Sequence, residues 1–200
     1  YTLSLNFERN TLNKKMYASK GTMLKIKLRY IEGSEGYKPG STSLVKDKYS
    51  AYHTWWQLKM EYDNYFKSFG PLKLGFYSEM NFSGAPFMVN YFATTLLSPA
   101  FEPTQESKTL FLENFRAHNY VGVGIKNVIT VLSNIDFRIE GYAYQPFQEI
   151  VTKESGGVKY NDAFSKRYYI ASLAAVYQSP LGPVALNLNY YDKKSKSFTF

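Results

Sequence analysis

Along most of this chain apolar and polar residues alternate one for one, the period of a β-strand with two unlike faces. Tyr1, Leu3, Leu5 and Phe7 alternate with Thr2, Ser4, Asn6 and Glu8. In 22–30, Leu24, Ile26, Leu28 and Tyr30 oppose Lys25, Lys27 and Arg29. In 52–63, Tyr52, Trp56, Leu58, Met60 and Tyr62 oppose His53, Gln57, Lys59, Glu61 and Asp63. In 72–82, Leu72, Leu74, Phe76, Met80 and Phe82 oppose Lys73, Tyr77, Glu79 and Asn81. The segment 119–128 sets Val121, Val123 and Ile125 against Tyr120, Gly122, Gly124 and Lys126, and 135–143 sets Ile135, Phe137 and Ile139 against Asp136, Arg138 and Glu140. Near the end Val184, Leu186, Leu188 and Tyr190 oppose Asn187 and Asn189. Only 168–177 is apolar on both faces, so its orientation is open. Within 22–30, 52–63, 72–82 and 135–143 every charge falls on one parity, which random placement would give about once in 128 trials. An antiparallel sheet of about eight strands is predicted, with Ser197–Phe200 opening a ninth.

The connections are unequal. Breaks at 10–19, 67–71, 132–134 and 178–182 are short, whereas 33–49, 83–114 and 145–166 are long. Ser68–Pro71, Leu132–Asn134 and Ser179–Pro183 carry the Gly, Pro, Asn and Ser of tight turns, and Gly33–Gly36 and Ser155–Gly157 punctuate long loops. Short turns at one end and long loops at the other are the habit of an outer-membrane β-barrel. The apolar face would then meet lipid; in a soluble barrel or sandwich the same face would be the core, and alternation alone does not choose. Two further features favour lipid. With the long loops outside, Tyr30, Tyr52, Trp55, Trp56, Phe82, Tyr142, Tyr144, Tyr168, Tyr169, Tyr190 and Tyr191 gather toward one interface and Tyr62, Tyr65, Phe66, Phe69 and Tyr177 toward the other. The polar face also mixes signs, as Lys59/Glu61/Asp63 and Asp136/Arg138/Glu140, which suits a hydrated lumen laced with cross-strand ion pairs.

Composition narrows the classes. The 200 residues include 24 Lys+Arg against 16 Asp+Glu, a net charge of +8, with 19 Tyr, 15 Phe and 2 Trp. Mean hydropathy is only −0.35, and no run approaches the roughly eighteen apolar residues of a spanning helix, so a helical membrane protein is excluded. With Cys 0, thiolate metal sites and disulfide frameworks are excluded too. A spanning sheet cannot leave backbone edges unpaired in lipid, so an odd strand count reads as the later part of a larger barrel, cut at both ends.

The stretches Phe111-Leu-Glu-Asn-Phe-Arg-Ala-His-Asn-Tyr-Val-Gly-Val-Gly124 and Phe137-Arg-Ile-Glu-Gly141 resemble a paired motif of the bacterial surface antigen superfamily, barrels of about sixteen strands. In that family a loop Arg-Gly-aromatic folds into the lumen and its Arg meets the acid of a strand Phe-x-Asp-x-Gly. The resemblance implies that Arg116 and Glu140 form a loop-lock ion pair, that Phe137 and Gly141 end the strand motif, and that loop 83–117 is a lumenal plug or cap. Ala117 stands for the family's Gly, the aromatic moves to Tyr120, and the acid sits one position late. The strings Asn10–Tyr17, Ser19–Thr22, Pro99–Pro103, Glu106-Ser107 and Leu181–Pro183 further resemble the C-terminal barrel of outer-membrane patatin-like phospholipases. That likeness implies a non-catalytic barrel in the bacterial outer membrane that anchors or exports an upstream patatin-like lipolytic domain. The expected partners are the bilayer, lipopolysaccharide and the barrel assembly machinery. The family's Gly-x-Ser-x-Gly elbow has no counterpart here; Gly33-Ser-Glu-Gly36 has the wrong spacing. A transport or assembly barrel with no lipase, and a soluble β-barrel binding an apolar ligand, are the alternatives.

No catalytic residue, metal site or cofactor is expected. His53 and His118 lie on separate segments with no Ser/Asp pair placed beside them. Glu61 and Asp63 share a face at i, i+2, and neutralisation by Lys59 and Lys73 explains them more simply than acid–base chemistry. Lys14-Lys15, Lys46-Asp-Lys48 and Lys193–Lys196 suit lipid headgroup or lipopolysaccharide phosphates better than nucleic acid.

Overall fold

A computed structural model describes residues 1–43, 46–154, 157–192 and 198–199. The alternating segments become nine strands of one antiparallel sheet: β1 (Thr2–Asn10), β2 (Gly21–Tyr37), β3 (Tyr49–Phe69), β4 (Leu72–Ser83), β5 (Tyr120–Leu132), β6 (Ile135–Pro146), β9 (Tyr168–Ser179), β10 (Gly182–Tyr191) and β11 (Phe198–Thr199). They follow one another as an up-and-down meander, in the order β1-β2-β3-β4-β5-β6-β9-β10-β11. A two-stranded hairpin, β7 (Ile150–Thr152) with β8 (Val158–Tyr160), and a short helix, α1 (Tyr91–Leu97), lie in the connections. Among the described residues the sheet is open: β1 pairs only with β2 and β11 only with β10.

The strands run longer than their alternation. The ladder between β2 and β3 continues from Gly33↔His53 to Tyr37↔Tyr49, so the connection expected over 33–49 shrinks to 38–48. At the opposite end the turns tighten to 70–71, 133–134 and 180–181. The long connections, 38–48, 84–119 and 147–167, all leave one end of the sheet. Ser155, Gly156 and Lys193–Ser197, with Phe200, fall outside the described residues, so the glycine break and basic string expected there go undescribed.

The sheet is curled. The Tyr17 hydroxyl lies 3.5 Å from the Asn187 amide on β10, six strand spacings from β2, about 29 Å on a flat sheet. Tyr17 is only four residues from Gly21 of β2, at most about 14 Å of chain, and two side chains do not bridge the remainder. Burial follows the curl. On the convex face Leu5, Trp56, Ile125, Ile139, Val184 and Leu186 are 72, 57, 63, 50, 64 and 79 % exposed. On the concave face Glu79, Asn81, Lys126, Asp136 and Arg138 are 0–6 % exposed. The strand left open, 168–177, turns Ile170, Ser172, Ala174 and Val176 inward, and Tyr169, Leu173 and Tyr177 outward.

Register corrects part of the expected aromatic belts. Tyr142, Tyr144 and Tyr191 are 0–3 % exposed because they share parity with Glu140 and Asn189 and so point inward. Trp55 and Tyr65 share the inward parity of Gln57 and Asp63. Tyr52, Trp56, Phe82 and Tyr169 remain outward at one end, and Phe66, Phe69 and Tyr177 at the other.

Candidate functional site

The concave face carries a small aromatic core beneath connection 84–119. Phe101, Leu112, Phe115 and Ala117 of that connection pack with Tyr77, Tyr120, Tyr142, Tyr144, Ile170 and Tyr191 of the strands. Phe101 is fully buried and stacks on Tyr144 at 5.4 Å. Full burial of a phenylalanine stabilises by about 1.5–3 kcal/mol, so Phe101 and Phe115 are the main apolar attachment of the connection. Space for Phe101 exists only because β5 has Gly122 there: a Cβ would lie 2.1 Å from its ring. Backbone bonds fix the approach, with Phe101 N–H donating to Phe115 at 2.9 Å and Ala117 N–H to Pro99 at 3.2 Å. Ala117, where a glycine was expected from the resemblance, fits at 0 % exposure.

Below this core lies a cavity of about 750 Å³, lined by residues from β1 to β10 and by connections 11–20 and 84–119. Its ionic lining balances: six cations (Lys15, Lys25, Lys59, Lys108, Lys126, Arg138) meet seven anions (Glu8, Glu61, Asp63, Glu79, Glu102, Glu106, Glu140). Such a lining gives no single-sign field to draw ions of one charge. Glu79, 2 % exposed, accepts from Tyr77 and Tyr120 hydroxyls at 2.5 Å each and pairs with Lys59 at 2.9 Å. Lys59 also reaches Glu61 at 3.4 Å. Lys126 crosses β4 to Asp63 at 2.6 Å, passing the rings of Tyr77 and of Tyr65, which covers Gly75. Arg138 pairs with Glu140 at 2.8 Å and donates to Tyr65 at 2.8 Å. Losing one partner of such a buried pair costs about 3–5 kcal/mol, since the other charge stays desolvated.

The expected lock is not formed. Glu140 is held by Arg138 and by the Tyr142 hydroxyl. Arg116 instead donates to the carbonyls of Leu96 and Ser98, both at 3.1 Å, approaches Glu102 at 3.7 Å and lies over the Phe111 ring. Register explains this: Tyr120 lies opposite Pro146 but Lys126 opposite Glu140, six residues or about 20 Å further along the strand. Phe137 is 47 % exposed on the convex face, as is the position of Gly141, where a Cβ would meet nothing within 4 Å. Ile139, at the family's acidic position, is also outward; the shift of the acid to 140 moves it to the polar face. Lys73 does not neutralise Asp63; it donates to Thr130 at 2.9 Å, and Lys126 takes that place.

The histidines fasten connections. His53 pairs with Glu35 at 3.0 Å, and Glu35 also accepts the Val89 backbone N–H at 2.8 Å, tying 84–119 to the β2–β3 hairpin. His118 Nδ1 lies 2.6 Å from the Tyr160 hydroxyl of β8, and Phe87 packs on both rings. Desolvation lowers the His118 pKa to about 4, so it is neutral at physiological pH. Burial, opposed by Arg116, pushes the Glu102 carboxyl above its usual range. Burial and the bond to Glu106 raise the Tyr17 hydroxyl to about 12. Lys14 pairs with Asp136 at 3.3 Å and Lys46 donates to the Ser41 carbonyl at 3.2 Å. Among the described residues no cluster of His, Asp and Glu could hold a metal ion, and no helix is long and apolar enough to cross a membrane.

Glu79 and Lys126 were legible only as polar-face positions, and Tyr120 as that and as the displaced aromatic of the loop motif. Glu35, Tyr17 and Glu106 lay within strings the sequence singled out, but nothing there pointed to the contacts they make, because their partners lie on distant segments. No family model, curated protein or solved structure matches this chain.

Proposed function

We propose that the chain is wall and cap of a bacterial outer-membrane β-barrel, itself non-catalytic, which anchors or exports a patatin-like lipolytic domain. The observation that carries the barrel reading is the inverted distribution of polarity. The sheet's apolar side is bare from β1 to β10, while its charged side is folded over by connections and ion-paired. An apolar surface of that extent exceeds what soluble monomers display, and hydrocarbon is the solvent that suits it. The spacing of outward aromatics agrees. From Trp56 to Phe66 on β3 is ten residues, about 33 Å of strand, or about 25 Å along the membrane normal at a 40° tilt. Among the described residues β1 and β11 are edge strands, and in lipid the backbone groups of such edges need a pairing partner. The lipolytic partner rests on the resemblance of the short strings alone.

These 200 residues contain no cysteine, so a cysteine introduced into them allows a direct test in cell membranes, read against the unsubstituted intact protein. Ile125→Cys and Leu186→Cys should resist a hydrophilic maleimide until the membrane is solubilised and the protein unfolded in SDS, while Phe164→Cys, in an exposed connection, should react at once. Equal labelling of all three in intact membranes would overturn the barrel reading. Lipolysis is scored separately, as fatty acid released from phospholipid vesicles by the intact protein; none released removes the attached lipase and leaves the barrel.

A further inference from the structure

Connection 11–20 leaves the short-turn end of the sheet, yet it does not stay there. Its flanks extend the β1–β2 ladder, Thr11 N–H to Thr22 at 2.8 Å and Asn13 N–H to Lys20 at 3.0 Å. Gly21 then bends the chain at φ +100°, where a Cβ would sit 2.1 Å from the Thr11 carbonyl oxygen, so a side chain is excluded. The Asn13 side-chain oxygen accepts the N–H groups of Ser19 and Lys20, both at 3.0 Å, and sets the tip 14–19 across the concave face.

From there the tip is fastened to elements far away in sequence. Arg138 on β6 donates to the Ala18 carbonyl at 2.8 Å, and Lys14 pairs with Asp136, which is 2 % exposed. Tyr17 lies 3.5 Å from Asn187 on β10 and donates to Glu106 of connection 84–119 at 2.6 Å. Tyr17 has φ 53°, a left-handed conformation that a non-glycine residue keeps only where its surroundings hold it. Connection 84–119 comes from the opposite end of the sheet, so the Tyr17–Glu106 bond joins chain entering the concave space from both ends.

We infer that 14–19 is an inner plug, closing the lumen from the short-turn end while 84–119 closes it from the long-loop end. The two meet at Tyr17 and Glu106, and the cavity of about 750 Å³ lies against both. The inference rests on the barrel reading above and adds its regulation: two closures in series, coupled through one hydrogen bond. Either closure alone suffices to block the path, and loosening one weakens the seat of the other.

The intact protein is tested in its own membrane. Ala18→Cys, 7 % exposed in place, reports the plug: a hydrophilic maleimide reaches it only when the tip swings out. Tyr17→Phe should raise its labelling rate about tenfold, the scale of losing a hydrogen bond to a charged group. Glu106→Gln, which keeps an acceptor, should raise it less than Glu106→Ala. In planar bilayers, shortening 14–19 alone or deleting 88–113 alone should leave conductance near background, and both together should open a pore. Rapid labelling of Ala18→Cys that Tyr17→Phe does not change, or a pore opened by removing the outer cap alone, overturns the plug. Should the deletions fail to assemble, the labelling series decides by itself. Ile125→Cys in the same membranes separates the two ideas: if it reacts, the barrel reading has failed; if it stays protected while Ala18→Cys reacts freely, the plug alone has failed.

Discussion

Adding one methyl group to Gly122 should unseat the cap. The ideal Cβ at 122 lies 2.1, 2.6 and 2.7 Å from three carbons of the Phe101 ring, far inside van der Waals contact. The ring cannot simply slide, since it is fully buried against Tyr144, Tyr120, Tyr142 and Tyr77. Local repacking of an overfilled core costs about 1–3 kcal/mol, and complete expulsion of the ring approaches the roughly 3–5 kcal/mol of a Phe→Ala truncation. Gly122→Ala should therefore destabilise attachment of 84–119 by about 1–4 kcal/mol. The measurement is the rate of proteolysis within 84–119 of the intact protein, calibrated by urea unfolding. A double-mutant cycle isolates the cause. In a Phe101→Ala background the clash is gone, and Gly122→Ala should cost nothing or recover a few tenths of a kcal/mol by filling the cavity. Gly141→Ala, a β-strand glycine with open space at its Cβ, should lie within about 0.5 kcal/mol of the parent. If Gly122→Ala costs as much without Phe101 as with it, the seating of the cap on β5 is wrong.

Three further outcomes follow from the fastenings of the connections. Glu35→Ala removes an acceptor from the Val89 N–H and a partner from His53, so hydrogen exchange at Val89 should quicken by the equivalent of about 1.5–3 kcal/mol, while Glu35→Gln keeps most of the protection. His118 has its folded pKa lowered, to about 4, from an ordinary value near 6.5. The unfolded or opened form therefore binds the proton first, and stability falls as pH drops from about 6.5 toward 4, by up to about 3 kcal/mol in total. His118→Gln should flatten that part of a pH–stability curve recorded on the cap, and an unchanged slope would contradict the buried neutral imidazole. Arg116→Glu should loosen α1 by removing donors from the Leu96 and Ser98 carbonyls. Adding Glu140→Arg should restore nothing, since Glu140 is held by Arg138 and Tyr142 and lies about 20 Å along the strand from Tyr120, where connection 84–119 enters β5; rescue by the swapped pair would reinstate the lock.

The alternation of side chains placed about eight strands and the opening of a ninth, and put the charges of its clearest segments on one face, while it left the orientation of 168–177 open and ended β2 short of Tyr37. A strand's two faces are set by local geometry, so Lys25, Glu79 and Arg138 could be assigned to one side without any partner. The turns followed for the same reason, because Gly70, Asn134 and Gly182 act within a few residues. What the chain alone left undecided was anything that depends on which distant segments meet. The pairing of Arg116 with Glu140 fails on a register offset visible only when β5 and β6 are laid together. Tyr142, Tyr144 and Tyr191 have the composition of an interfacial belt, but the inward parity of their strands and the arrival of Phe101 and Phe115 make them a core. Local sequence thus determined how each strand divides polar from apolar. The curl of the sheet, and the folding of 11–20 and 84–119 across it, decided which polar groups are buried, because only tertiary contact can remove them from water and supply the partners that make the burial tolerable.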